Sequence, residues 1–399
     1  MAQGEPSDSA IDAELYIKAK RPYVFAEYGY GALCNSISTA ELINFTSTDF
    51  LTNEDKDELL NSINGPLRFG YFREINIGYK KPGYQILDSY KRGNGFSLKN
   101  KFITSATLSN DLLKLALYGN KPYVNQMLDL GNTKYESWYY TTLDYNFDMM
   151  IDSLQPVTVT VGLNVGHDYT LYNVNKGSLT TAPNGEFLDL DVDYQLRDRI
   201  NESQAMAGLG LSAGASTTFK LNHKASINLT IEDFGFIFFT GGRKLDADST
   251  FRFRGIEFSN IFDLNDSLTQ KAKDEYTDNF YYNEDGNFTR LTPFKISAGY
   301  MLKLNRSRLK ALTLAADYRY LAGYYPRLAL GTLIKTGYKQ ELMVQLTTGG
   351  YNLASLDLGY KATIARHWSI YAGITNFSGL VVPVISGGAY GIIGLSWEY

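Results

Sequence analysis

The last residues of the chain alternate without a break: Tyr399, Trp397, Leu395 and Ile393 are large and apolar, while Glu398, Ser396 and Gly394 between them are polar or small. Successive side chains of a strand point to opposite faces. One face of this strand is therefore greasy and ends in two aromatics, and the other is polar. The same two-step pattern recurs upstream. Val157, Val159, Val161, Leu163 and Val165 alternate with Thr158, Thr160, Gly162 and Asn164. Leu209, Leu211, Ala213 and Ala215 alternate with Gly210, Ser212, Gly214 and Ser216. Further runs start at Ile227, Phe294, Leu312 and Leu356. Spans of about 9–11 residues are what a tilted strand needs to cross a bilayer. These runs predict an all-β fold, a transmembrane antiparallel β-barrel with an apolar outer wall and a polar interior.

Composition agrees. No run of 18 apolar residues exists in the 399, so no transmembrane helix is expected. Mean hydropathy is −0.23, but transmembrane barrels hide from hydropathy because their faces alternate. The 31 Tyr and 22 Phe suit the aromatic girdles of such a wall. A soluble β-sandwich array is the bland alternative, and it does not need alternation through so many strands of similar length. Net charge of −4 disfavours nucleic acid as a partner. The single cysteine, Cys34, allows no intrachain disulfide and lies too far along to be a lipid-anchored first residue. The start, Met1-Ala2-Gln3-Gly4-Glu5, lacks a basic and apolar signal segment, which suggests a mature exported chain with a replaced start Met.

Strand candidates fall at about 21–33, 67–80, 96–106, 135–147, 157–168, 207–221, 224–238, 294–304, 311–321, 328–338, 341–350, 353–364, 368–378 and 389–399. That makes fourteen, an even number, with sixteen left open. Short polar turns after Leu221, Leu304 and Ile364 alternate with long segments, about Asp168–Gln204 and Thr240–Pro293. Outer-membrane barrels have short periplasmic turns and longer outside loops. Residues 1–20 are read as a periplasmic or plug segment and 21–399 as the barrel. Two loop helices are expected. Thr52 precedes the acid-rich Asn53-Glu54-Asp55, a helix start. Ser109–Asn120 has apolar residues at helical spacing and a Gly stop, and is expected to cap or partly fill the mouth. The apolar loop Gly379–Gly388 is expected to fold into the mouth or meet a partner.

The segments "FLTNEDKDELLNSI", "LSNDLLKLALYGN" and "INLTIEDFGFIFFTGG", in this order before a run of short hairpins, resemble an uncharacterised family of Bacteroidota outer-membrane proteins. That family is similar in architecture to the FadL-like transporter barrels and the PorV-like barrels of the type IX secretion system. The resemblance covers about residue 50 to the end and implies a fourteen-strand barrel. The terminal strand is similar to the C-terminal signal of bacterial outer-membrane barrels, carried here by Ile393, Leu395, Trp397 and Tyr399. The Asn-Pro-Ala hatch motif of FadL-like transporters does not occur here.

The polar faces place Glu136, Asp144, Glu232, Lys295, Lys303, Asp317, Arg319, Lys335, Asp357 and Lys361 in the lumen. Lys295, Asp317, Arg319 and Lys335 fall on neighbouring strands. Charges of both signs read first as pairs filling a dry interior and second as a polar solute path. A lumen of one sign would have meant ion selectivity, and this is not one. Gly210-Leu211-Ser212-Ala213-Gly214 matches a hydrolase pattern that needs a strand-to-helix turn, whereas Ser212 is expected mid-strand. His223 and His367 fall in turns and His167 near a strand's outer end, so no catalytic grouping forms and no enzyme is expected. Asp189, Asp191 and Asp193 imitate a calcium loop, but Tyr194 and Ile200 stand where Gly and Glu are required. Asp263–Gly286 is acidic and aromatic, suited to bridging cations or partners. No cofactor and no metal are expected.

Two functions follow as expectations: a FadL-like transporter or channel for small hydrophobic molecules, and a non-transporting, PorV-like scaffold subunit of an outer-membrane secretion or assembly complex. The expected partners are outer-membrane lipid and lipopolysaccharide and the barrel-assembly machinery. A small hydrophobic ligand goes with the first function and outer-membrane protein partners with the second.

Overall fold

Fourteen antiparallel strands close on themselves in the computed structural model, which describes residues 21–38, 52–63, 65–86, 89–152, 155–199, 206–253, 283–304, 306–382 and 387–399. They are β1 Tyr23–Cys34, β2 Leu67–Lys81, β3 Asn94–Leu108, β4 Thr133–Asp152, β5 Gln155–Thr181, β6 Gly208–Lys220 and β7 Ala225–Phe253. The second half is β8 Lys295–Lys303, β9 Leu309–Arg319, β10 Tyr325–Gly337, β11 Gln340–Gly350, β12 Asn352–Thr363, β13 Trp368–Thr375 and β14 Gly387–Glu398. Each pairs with its sequence neighbours, and β1 closes on β14 from Tyr23↔Glu398 to Cys34↔Gly387. All fourteen expected strands are present. Closure leaves no edge to aggregate. The expected plug segment, 1–20, lies outside the described residues.

The faces separate as the alternation requires. Ile393 is 61% exposed and Leu395 44%, while Ile392 is 5% exposed. Outward aromatics form two rows. At the end carrying the chain's C-terminus, Trp368, Trp397, Tyr399, Tyr79 and Phe96 touch in succession. At the opposite, loop end, Tyr28, Tyr30, Tyr71, Phe102, Tyr139 and His167 do the same. Tyr71 and Tyr79 stand eight residues apart on β2 (79 − 71). At roughly 3.4 Å per residue and a tilt of about 40°, that separation is about 21 Å, close to the ~25 Å apolar band of membrane barrels. No helix among the described residues is long and apolar enough to cross a membrane.

Two strands run far beyond the expected length, β5 with 27 residues and β7 with 29. Leu188–Arg199 pairs with both of their outer halves, and Asn283–Leu291 continues the sheet beyond β7. The Asp189, Asp191 and Asp193 stretch is thus the face of an outer hairpin strand, as its alternation with Leu190 and Val192 leads one to expect, and Asp189 pairs with Arg252 at 2.6 Å. Most of the Asp263–Gly286 stretch lies outside the described residues.

The helices form where their caps predict. Thr52 Oγ1 accepts from Asp55 N at the start of α1, Asn53–Ser62, and the Asp55 carboxylate accepts in turn from Thr52 N. The Thr52 hydroxyl first and the Thr52 amide second, both donating to the Asp55 carboxylate, hold it below its ordinary value. Ser109 caps α2, Asn110–Tyr118, which ends at Gly119 with φ of 71°. Of the two expected placements of α2, capping or partly filling the mouth, filling is not met, because no residue of it is buried. It lies against α1, where Tyr118 Oη donates to Asp57 at 2.5 Å, and that bond pushes the phenol up to about 12. Of the two expectations for 379–388, folding into the mouth or meeting a partner, the described apolar side chains do not meet the first, although Gly379, Gly387 and Gly388 are buried. Phe377–Val381 forms a short helix, α3, with Leu380 53% and Val381 60% exposed.

Candidate functional site in the barrel interior

An eight-strand barrel is just wide enough for side chains to fill, and diameter grows with strand number. Side chains alone therefore cannot fill a fourteen-strand lumen, and here two loop-end turns fold inward. Residues 320–324 between β9 and β10 cross the barrel. Ala322 N donates to Glu136 Oε1 on β4 at 2.6 Å, and Ser105 Oγ on β3 donates to Ala322 O at 2.5 Å. Gly323, with φ of 67°, approaches β3 so closely that a Cβ there would stand 2.8 Å from Ala106 O. The β11–β12 hairpin turns through Gly349 and Gly350, at φ of 93° and 66°, and delivers Tyr351 to the interior. Its hydroxyl lies 2.6 Å from Ser105 Oγ, and Arg68 Nη1 on β2 donates to Gly350 O at 3.0 Å.

Around these turns the loop-end interior is an aromatic cluster that includes Phe72, Trp138, Tyr169, Phe239, Tyr324, Tyr351 and Tyr390. A cavity of about 30 Å³ lies beside it, lined by Leu33, Phe72, Arg319, Tyr324, Arg327, Thr375 and Tyr390. At roughly 10–15 Å³ each, that is room for about two waters.

Of the ten residues placed in the lumen from sequence, Glu136, Asp144, Lys295, Asp317, Arg319, Asp357 and Lys361 are buried and Glu232 half-buried on inward faces. Lys303 and Lys335 are exposed at the strand ends near the C-terminus. Lys295, Asp317, Arg319 and Lys335 lie on the neighbouring strands β8, β9 and β10 as expected, with Lys335 at the exposed end of β10. Asp317 pairs with Arg327 Nε at 2.8 Å and accepts from Tyr324 Oη at 2.6 Å. Arg327 also faces Asp357 at 3.7 Å, and Asp357 accepts from Asn376 N at 2.8 Å. Arg319 reaches across to Glu74 on β2, 3.9 Å away, and lies over the Phe72 ring. Asp144 pairs with Lys99 at 2.9 Å, and Lys101 pairs with Asp233 of β7 at 2.5 Å.

Arg327, Lys99, Lys101, Asp233 and Glu74 were not picked out from sequence. The lysines and Glu74 obey the same alternation as the others and were findable. Arg327 fell just before the expected start of β10. Asp233 sits at a β-bulge with φ of 55°, where β6–β7 register shifts between Ala213 and Ala215. Beyond it the parity flips, so that Phe234, Phe236 and Phe238 face out and Ile237 and Phe239 face in. Ser212 lies flat in β6 and donates to Asn164 Oδ1 at 3.2 Å, in a strand rather than an elbow. Among the described residues no cluster of metal-ligating side chains occurs.

The fold and interior define a closed antiparallel membrane-type barrel with a plugged lumen. Residues 24–374 match the model of the family of unknown function DUF5723, and the chain belongs to that family. No curated protein matches the chain. Among solved structures it is similar to the toluene transporter TodX of P. putida, with 7% identity, TM-score 0.44, and 96% and 91% of the two chains covered. The toluene transporter TbuX of Ralstonia pickettii gives 8% identity, TM-score 0.44 and 96% and 90% coverage. A Pseudomonas aeruginosa FadL homologue gives 11%, 0.42, and 97% and 91%. Likenesses of this size leave function to be argued from this chain's own residues.

Proposed function

We propose that this chain is an outer-membrane barrel that passes small apolar molecules through a gated lumen, in the manner of FadL-like proteins. The observation that carries the reading is the aromatic chamber at the loop end, closed by two in-folded turns, of which 320–324 is anchored across the lumen by side-chain hydrogen bonds from Glu136 and Ser105. Ligand sites are mostly apolar with a few placed polar groups, which fits Leu33, Phe72 and Tyr390 beside Arg319 and Arg327. A cavity on the order of 150 Å³ takes up benzene, so the present 30 Å³ is too small for such a molecule. Passage requires the 320–324 turn to move. The outward apolar band and its aromatic rows support an outer-membrane location, and the motif resemblance supports a Bacteroidota source.

Trp138 is the interior tryptophan, whereas Trp368 and Trp397 face outward. Titration with iodobenzene, a heavy-atom quencher, is expected to quench Trp138 saturably in a Trp368→Phe, Trp397→Phe background. Quenching that rises linearly, as for free collision, rejects the reading. The scaffold alternative draws on one observation, the exposed Leu380-Val381-Val382 surface of α3. Native mass spectrometry of gently extracted protein separates the two: stoichiometric protein partners on a ligand-free barrel favour the scaffold.

A further inference from the structure

We propose that the outward face of β2–β5 carries a binding site for the phosphate of a membrane lipid, centred on Arg73. Arg73 lies in the loop-end aromatic row, in register with Tyr30 on one side and Phe102 on the other. Its guanidinium sits over the Phe102 ring, 5.5 Å from the centroid. Its neighbours on the same face of β2 are Tyr71 and Ile75. Among the described residues it makes no ion pair, in contrast to the buried arginines Arg319 and Arg327.

A guanidinium stacked on a ring presents its N–H donors at the rim. The guanidinium lies on a wall whose surroundings, Tyr71, Ile75 and Phe102, are aromatic and aliphatic. Bare charge is costly against hydrocarbon, and the cost falls towards the interface. The aromatic row marks that interface level, where lipid phosphates lie. A phosphate accepts two parallel N–H bonds from an arginine and neutralises it.

A second feature adjoins it. Asn100 Nδ2 donates to Thr141 Oγ1 at 2.9 Å, and Thr141 Oγ1 lies 2.8 Å from His167 Nε2. These three side chains face outward on β3, β4 and β5, beginning one position in from Phe102 on its face. His167 is the bulge residue between the Tyr139↔Asp168 and Tyr140↔Gly166 pairs, and its ring lies 4.7 Å from Tyr139. Elsewhere these outward faces carry residues such as Leu98, Leu143, Tyr145, Val161 and Leu163. A polar strip placed on a hydrocarbon-facing wall beside a lone cation suits the glycerol or sugar next to a phosphate. The site needs only that the wall faces a bilayer, and not that the lumen passes anything.

The test is native mass spectrometry of the full chain in nonionic detergent with added phosphatidic acid, against galactosyl diacylglycerol, which has no phosphate. Wild type is expected to retain phosphatidic acid at least five-fold over the glycolipid. Arg73→Ala is expected to abolish that preference. Arg73→Lys keeps the charge without the fork and should fall between them. Lys310→Ala, which removes a cation from the other end of the wall, should match wild type. Folding of each variant is read from the fast mobility of the unboiled barrel on a gel, so loss of fold is distinguished from loss of binding. Equal retention by wild type and folded Arg73→Ala overturns the proposal. So does displacement of the lipid by millimolar inorganic phosphate, which would make this a free-anion site.

Discussion

Glu136 is the residue on which the shut state turns. Its carboxylate accepts from Ala322 N at 2.6 Å, and both groups are buried. A hydrogen bond to a charged group contributes about 1.5–3 kcal/mol net, and each 1.4 kcal/mol is about tenfold in an equilibrium. Glu136→Ala should therefore raise the fraction of time the 320–324 turn is released by about 10- to 100-fold. Glu136→Gln keeps an acceptor at the same place without the charge. Charge-assisted bonds are roughly twice as strong as neutral ones, so the rise should be about 3- to 10-fold. Lys134, 3.6 Å from Glu136 and partly exposed, loses little when its partner goes. The assay is open-state occupancy in planar lipid bilayers at low protein density. Wild type should be shut nearly throughout, with brief openings that lengthen or multiply in the order Gln then Ala. If folded Glu136→Ala opens no more often than wild type, the turn is not the gate and the latch reasoning is wrong.

Three further expectations follow from single contacts. Asp233→Ala removes the partner of the buried Lys101 and should cost about 3–5 kcal/mol in denaturant unfolding, while Asp233→Asn should cost less because Asn tolerates the left-handed backbone that the bulge requires. Gly70→Ala would place a methyl 2.2 Å from the Tyr351 ring, so the ring must leave its seat; the loss should be about 1–3 kcal/mol, seen as earlier heat conversion of the unboiled gel band. Burial pulls the Asp111 carboxyl up, but Lys114 and the Asp129 amide outweigh it and hold it below its ordinary 3.8. A lowered carboxylate stabilises above its unfolded value and ceases to do so as pH falls through the folded one. Pepsin nicking in the 110–132 segment should therefore accelerate only below about pH 4, and nicking by a neutral protease should be flat between about pH 5 and 8.

The barrel was legible because its two faces meet two different media, which writes a period of two into every strand. Both loop helices were legible for local reasons, the capping residues Thr52 and Ser109 and the stop at Gly119. Three things were not. The outer halves of β5 and β7, with the 188–199 strand between them, lie beyond the apolar band, where no constraint sharpens the alternation. The bulge at Asp233 reverses parity within a run that still reads as apolar. The plug is the least visible of all. Glu136 announces itself as inward, but its partner is the backbone of Ala322, 186 positions away, and nothing local in Leu321-Ala322-Gly323-Tyr324 says that the turn folds in rather than out. The same holds for Tyr351, whose partner Ser105 lies across the lumen. Cross-barrel contacts of this kind depend on closure, which the pattern of one strand does not contain.

The measurement closest to the central claim locks the turn. In a Cys34→Ala background, Ser105→Cys with Ala322→Cys is joined by a short thiol crosslinker and reconstituted into liposomes, and entry of toluene into an internal, solvent-filled reporter is followed with time. The gated-lumen account predicts that the uncrosslinked pair accelerates entry above that of protein-free liposomes and that crosslinking returns it to that baseline. Equal entry through crosslinked and uncrosslinked protein would contradict the account, because the molecules would then be passing by a route the turn does not control.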